Sequence, residues 1–205
     1  MQHFPITAIQ SWERFYRANF LNCISGFKPA SLIGTVNLKQ QTNLAVFSNI
    51  VHLGADPALI GIINRPIEAA PHTISNIKAT GQFTINHINP SMVQQAHQTS
   101  AKYPEGVSEF DATGLTPIFK NGFNAPYVQE SHIQIGLNLV EIIPITHNHT
   151  FLIIGAIEEI YLNEAIVQKD GFIQLDEAGS IVSAGIDAYY STTLLERLPY
   201  AKVQP

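Results

Sequence analysis

The sequence predicts a mainly β protein with flanking helices, its strands running antiparallel. Two observations carry that expectation. Between residues 30 and 64 the chain is a series of short segments rich in β-branched and apolar residues, each bounded by turn residues. Two longer segments, 132–145 and 150–162, are separated only by a tight turn at His147-Asn148. Connections this short leave no room for the crossovers that parallel strands require.

Taken in order, residues 7–21 place Ile9, Trp12, Phe15 or Tyr16, and Phe20 at three-to-four spacing, with Thr7 and Gln10 as a capping box, and predict one amphipathic helix. A break at Gly26-Phe27-Lys28-Pro29 precedes strands over 30–36, 43–53 and 58–64. The first two form a hairpin around Lys39-Gln40-Gln41-Thr42, and Gly54-Ala55-Asp56-Pro57 turns the chain into the third. Residues 73–80 carry Thr73 at the cap of a short helix, Ile74 and Ile77 three apart, and Gly81 as its stop. A strand follows over 82–88, where Phe83 and Ile85 alternate with Thr84 and Asn86. Residues 91–101 read as helix, 102–127 as loop with one helical turn near Ser108-Glu109-Phe110, and the tail 170–199 as turns and short helix. No repeat or low-complexity tract interrupts the 205 residues, so a single domain over 1–205 is expected.

Eleven Lys and Arg against 16 Asp and Glu give a formal charge of −5, and no cationic run occurs. Nucleic acid is therefore not an expected partner. No stretch approaches the roughly 18 apolar residues of a membrane span. Met1-Gln2-His3-Phe4-Pro5 has neither the basic nor the apolar region of a signal peptide, and the lone Cys23 cannot close an intramolecular disulfide. A cytoplasmic protein with no membrane partner is expected. Charged residues make up 13% of the chain, against about 25% in globular proteins. So little charge to cover the surface predicts a further buried interface, met most simply by a homodimer.

No Gly-x-Gly-x-x-Gly, Walker loop, Gly-x-Ser-x-Gly elbow or Cys-x-x-Cys is present, which disfavours a Rossmann dehydrogenase, a P-loop enzyme and an α/β-hydrolase. His147 and His149 could grip one metal ion if they lay on a strand, making a metal-binding β-barrel a remote alternative; in a hairpin turn their rings diverge. The helix start at Thr73 is a potential anion site, because free N–H groups and the helix dipole favour a phosphate there, and Arg65 and His72 lie just upstream. Asn43, Ser48 and Asn49 put polar groups into an otherwise apolar strand, where they need either a ligand or internal partners.

The ordered series Pro29, Thr35, Asn43-Leu44-Ala45-Val46-Phe47-Ser48, Asp56-Pro57, Thr73-Ile74-Ser75-Asn76-Ile77 and Thr80-Gly81-Gln82-Phe83-Thr84-Ile85-Asn86 resembles the flavin reductase-like, FMN-binding split-barrel family, which includes the flavoredoxins. The similarity continues through Ser108-Glu109-Phe110, Gly114-Leu115-Thr116, Ala125-Pro126, Ile154-Gly155-Ala156-Ile157 and the segment from Asp170-Gly171 to Tyr190. Ala58 and His72 depart from the pattern, standing where many relatives carry Pro and Asp.

The resemblance implies a Greek-key, antiparallel split β-barrel and a homodimer with one FMN per subunit at the interface. It implies a phosphate site at Thr73, Arg65 and Asn76 beside His72. The flavin ring would lie across the strands that carry Ser31, Thr35, Asn43, Ser48 and Asn49. His97, Ser100, Lys102 and Tyr103, with Tyr189 and Tyr190, are the residues expected to border the open flavin face. No protein side chain need be catalytic, because hydride and electron chemistry belongs to the flavin. The implied activity is that of an FMN-dependent oxidoreductase with NAD(P)H as donor. The alternative is a flavoredoxin-like electron carrier fed by a protein donor.

Overall fold

The computed structural model describes residues 1–104 and 106–203. Two helices, α1 (Ile6–Gln10) and α2 (Arg14–Cys23), precede strands β1 (Lys28–Pro29), β2 (Ser31–Val36), β3 (Thr42–Phe47), β4 (Ile50–Ala55) and β5 (Ala58–Asn64). Helix α3 (Pro71–Thr80) leads into β6 (Gln82–His87), a 3-10 turn (Pro90–Met92), α4 (Val93–Gln98) and α5 (Glu109–Thr113). Short strands β7 (Pro117–Ile118) and β8 (Tyr127–Val128) come before the long hairpin of β9 (Ile133–Ile145) and β10 (Thr150–Leu162), and the last strands are β11 (Ile181–Ala184) and β12 (Ala188–Ser191).

The main sheet has seven strands in the order β3-β2-β6-β9-β10-β5-β4, every neighbouring pair antiparallel. Its two edge strands are consecutive in the chain, joined only by Ser48 and Asn49. Two residues cannot span an open sheet of that width, so the sheet must curl until its edges meet, which makes a barrel split at β3 and β4. One backbone bond, from the Ile63 N–H to the Asn49 carbonyl at 3.0 Å, ties the crossing residue to β5.

Strand alternation sorts the side chains of β2 onto two sides. Ile33 packs inside the barrel with Ile62, Ile74, Ile77, Phe83, Ile85, Leu137 and Ile153, so α3 plugs the interior. Leu32 faces outward into a second core with Leu44, Ile88, Met92, Ala96, Phe110 and Ile181, where α4, α5 and the small sheet β1-β11-β12 cover the barrel wall. Gly34 also faces outward, and a Cβ there would strike the Pro126 carbonyl and the Thr84 hydroxyl. Only glycine lets the loop before β8 lie flat on the sheet.

Four sequence expectations change. The segment 43–53 is two strands, because β3 pairs with β2 and β4 with β5 at the opposite edge. The amino-terminal helix is two helices, because the Glu13 carboxylate accepts from the Phe15 and Tyr16 N–H groups and starts a new one; Pro5, not Thr7, occupies the first N-cap. Thr73 is not the cap of α3. Pro71 opens that helix, where its missing N–H costs nothing, which moves the N-cap to Ala70. The tail contains a strand pair, β11 and β12, whose partner β1 is Lys28–Pro29, a distant pairing that a local pattern cannot reveal. The stop at Gly81 stands as expected, with φ of 73° and its N–H bonded to the Ile77 carbonyl.

Candidate functional site

The structure brings four of the expected site residues into direct contact. Thr35 Oγ1 on β2 accepts from Asn43 Nδ2 on β3 at 3.3 Å and from Asn76 Nδ2 on α3 at 3.1 Å, and Asn43 Nδ2 also reaches Thr73 Oγ1 at 3.3 Å. All four residues are buried. Their polar groups serve one another, and what the network does physically is fix α3 against β2 and β3. Side chains so engaged position a site more than they touch a ligand.

What the network holds in place is the start of α3. No side chain caps this helix, Pro71 is its first residue, and the N–H groups of His72 and Thr73 fall in the first turn, where a helix provides no carbonyl for them. Arg65 and His72 are exposed beside that end. The loop between Arg65 and α3 is pinned by Asn64, whose Nδ2 donates to the Arg65 carbonyl at 2.7 Å and the Ala70 carbonyl at 3.2 Å. Two carbonyl partners fix which end of that amide is nitrogen. Its buried Oδ1 has no hydrogen-bond partner among the described residues, an acceptor suited to a hydroxyl or a water.

Two residues here escaped sequence reasoning. Asn64 looks like the last residue of a strand, with no local signal beyond the Arg-Pro that follows it. Glu109 opens the helical turn expected near Phe110, and its buried carboxylate accepts the Leu44 N–H of edge strand β3 at 2.9 Å. Burial pushes that carboxyl above its usual range, against the pull of the Leu44 N–H and of His72. The signal available was the Ser-Glu-Phe helix start, with nothing local to show that it covers a sheet edge.

The other expected residues lie apart from this cluster. Ser31 is buried on the interior side of β2, paired in register with Phe47 and His87. Ser48 and Asn49 form the crossing between the barrel edges. His97 Nδ1 contacts the Tyr189 hydroxyl at 3.0 Å, and Tyr189 packs on the outer core, across the sheet from Thr35. Ser100 is exposed just past α4, and Tyr190 stacks edge-on against Phe27. His147 and His149 belong to the turn between β9 and β10, and no group of three His, Cys, Asp or Glu converges on a metal position among the described residues.

A second polar cluster lies on the outer face. Tyr127 and Tyr161 both donate to the Glu159 carboxylate, and Lys120 Nζ stands 4.1 Å from the Tyr161 ring centroid. Burial and the shared carboxylate push the Tyr127 hydroxyl far above its ordinary range, so it stays a donor.

The flavin reductase like domain family matches residues 27–175. The chain belongs to that family. Membership places it among flavin-related oxidoreductases, and its solved relatives agree on the fold. A split barrel domain protein of Shewanella frigidimarina NCIMB 400, provisionally described as a flavin reductase, is 46% identical and superposes with a TM-score of 0.95, covering 98% of this chain and 100% of that one. Nitrilotriacetate monooxygenase component B from Bacillus cereus is 22% identical with a TM-score of 0.84, over 97% of this chain and 98% of the other. Flavoredoxin of Desulfovibrio vulgaris (Miyazaki F) is 24% identical with a TM-score of 0.74, over 85% and 92%. No described helix of this chain is long and apolar enough to cross a membrane.

Proposed function

We propose that the chain is a single-domain, FMN-dependent oxidoreductase of flavin-reductase type, acting in the cytoplasm as a homodimer with one FMN per subunit at the interface. The observation that carries the reading is the uncapped start of α3 beside exposed Arg65 and His72. The His72 and Thr73 N–H groups would hold the phosphate, with Arg65 opposing its charge. The Thr35-Asn43-Asn76 network would keep those donors aimed, and the unpartnered Asn64 Oδ1 would accept from a ribityl hydroxyl once the ligand reaches it. Ser48 and Asn49, at the crossing between the barrel edges, would line the ring, whereas buried Ser31 and the outer-wall residues His97, Ser100 and Tyr190 lie apart from it on the same chain. When bound, FMN supplies the hydride and electron chemistry.

NAD(P)H is the proposed donor. The chain offers no glycine fingerprint for a dinucleotide, so pyridine-nucleotide affinity rests on stacking and a few polar contacts and is weak. Anaerobic mixing of the FMN-loaded protein with NADH and NADPH separately tests the reading. Bleaching of the flavin band supports a reductase. Reduction only by dithionite or a protein donor would instead make the chain an electron carrier.

A further inference from the structure

Between the Arg65 loop and the turn that joins β9 to β10 the chain leaves a cleft of about 330 Å³, within the size range of small-ligand sites. Ile67, Pro144, Ile145 and Phe151 give it apolar walls, and the exposed side chains of Glu68 and His149 give it polar groups. The sheet ties this cleft to the α3 site. Phe151 on β10 lies directly opposite Asn64 on β5 and Pro144 on β9, and residues paired in this way turn their side chains to one face. Asn64 is the residue that pins the Arg65 loop, so the cleft begins one strand away from it.

The loop closes as a tight turn, with the Ala69 and Ala70 N–H groups donating to the Pro66 carbonyl at 2.9 and 3.1 Å, and that turn carries Ile67 and Glu68 to the cleft. Lys78 of α3 places its Nζ 5.6 Å from the Phe151 ring centroid, so the helix that offers the phosphate site also reaches the cleft wall. Apolar walls beside one carboxylate are the chemistry of a nucleoside site. A purine base buries its faces against aliphatic and aromatic side chains, and a carboxylate accepts from ribose hydroxyls. No ion pair among the described residues engages Glu68. His97 and Tyr190, expected from the sequence on the donor side, lie on the outer wall instead, whereas this cleft adjoins α3.

We propose that the cleft is the adenosine subsite for the nicotinamide donor, and that Glu68 accepts from the ribose 2′-hydroxyl and so makes the chain select NADH over NADPH. A phosphate on that hydroxyl removes the donor of the hydrogen bond and sets a like charge against the carboxylate. This rests on the NAD(P)H-linked reading above, and adds where the donor's adenosine lies and which donor is chosen. FAD carries the same adenosine, so the test separates the two sources.

The test uses the full chain loaded with FMN. Anaerobic stopped-flow gives the maximal rate of flavin bleaching and the half-saturating donor concentration, for NADH and NADPH separately. The wild type is expected to half-saturate at roughly tenfold lower NADH than NADPH, and Glu68→Gln to erase most of that difference while the maximal rate holds. Ile67→Trp, at a side chain 37% exposed, fills the cleft without repacking the core and should raise the half-saturating NADH about tenfold. Circular dichroism and FMN titration check that the fold and the α3 site survive. Adenosine monophosphate gives a readout independent of turnover: calorimetry should detect its binding to the FMN-loaded wild type and not to Ile67→Trp. A wild type that prefers NADPH, variants that leave both half-saturating concentrations in place, or adenosine monophosphate that does not bind overturns the assignment and leaves the reductase reading standing. FAD bound more tightly than FMN, with that advantage lost in Ile67→Trp and NADH saturation unmoved, gives the cleft to the flavin's own adenosine and also overturns it. A flavin that neither nucleotide bleaches overturns the reductase reading and this assignment together.

Discussion

In the barrel interior, Thr35, Asn43, Thr73 and Asn76 take their hydrogen bonds from one another and are buried by their own chain. At the two ends of the chain, Phe15, Leu195 and Leu198 meet solvent although nothing in their chemistry favours it. The contrast separates two kinds of sequence signal. A polar residue in an apolar strand marks something the fold itself must satisfy. An apolar residue on an unpacked arm is one that the chain's own core leaves uncovered.

Substitutions can break the interior half of that comparison. Gly34→Ala is expected to have the largest effect, because the added methyl lands on the Pro126 carbonyl. Urea melts should show a loss of about 3 kcal/mol or more. Gly81→Ala, in open space but at positive φ, should cost less, about 1 kcal/mol.

A pH series sharpens the comparison at the far end of the barrel. His87 contacts Ser180 Oγ at 2.9 Å, and burial depresses its pKa from 6.5 to about 4. The unfolded chain therefore binds a proton between those values that the folded chain refuses. Stability from this group is fully present above pH 6.5 and is lost as pH falls toward 4, by about 3 kcal/mol in all. His87→Gln should flatten the difference between melts at pH 7 and pH 4.5. An unchanged pH slope would refute the assignment.

Thr35→Val tests the polar network directly. It removes the acceptor shared by Asn43 and Asn76 and should destabilise by about 1–3 kcal/mol. FMN affinity should fall with it, because α3 loses part of its anchor. A variant with native stability and native affinity would mean that the network positions nothing.

Much of the fold was legible in the sequence because its signals are local. The 150–162 strand, the Gly81 stop and the hairpin at residues 36–42 follow from alternation and turn chemistry. What escaped depends on distant partners. Splitting 43–53 into two strands needs knowledge that its halves pair at opposite sheet edges, and β11 forms against Lys28–Pro29 from the other end of the chain. The site followed the same rule. The helix start near Thr73 was readable as a candidate anion site and Asn43 as a polar residue in need of partners, while Asn76 entered only through the family resemblance. That their partner is Thr35, that Asn64 pins the Arg65 loop, and that Glu109 satisfies Leu44 are tertiary facts with no local trace.

The central claim is that the start of α3, with Arg65, is a phosphate site. Fluorescence titration of the apoprotein with FMN and with riboflavin, for the wild type and for Arg65→Gln, tests it most directly. The account predicts that the wild type prefers FMN, and that Arg65→Gln weakens FMN about tenfold, the value of one hydrogen bond to a charged group, while leaving riboflavin unchanged. Equal affinity of the wild type for FMN and riboflavin would contradict it.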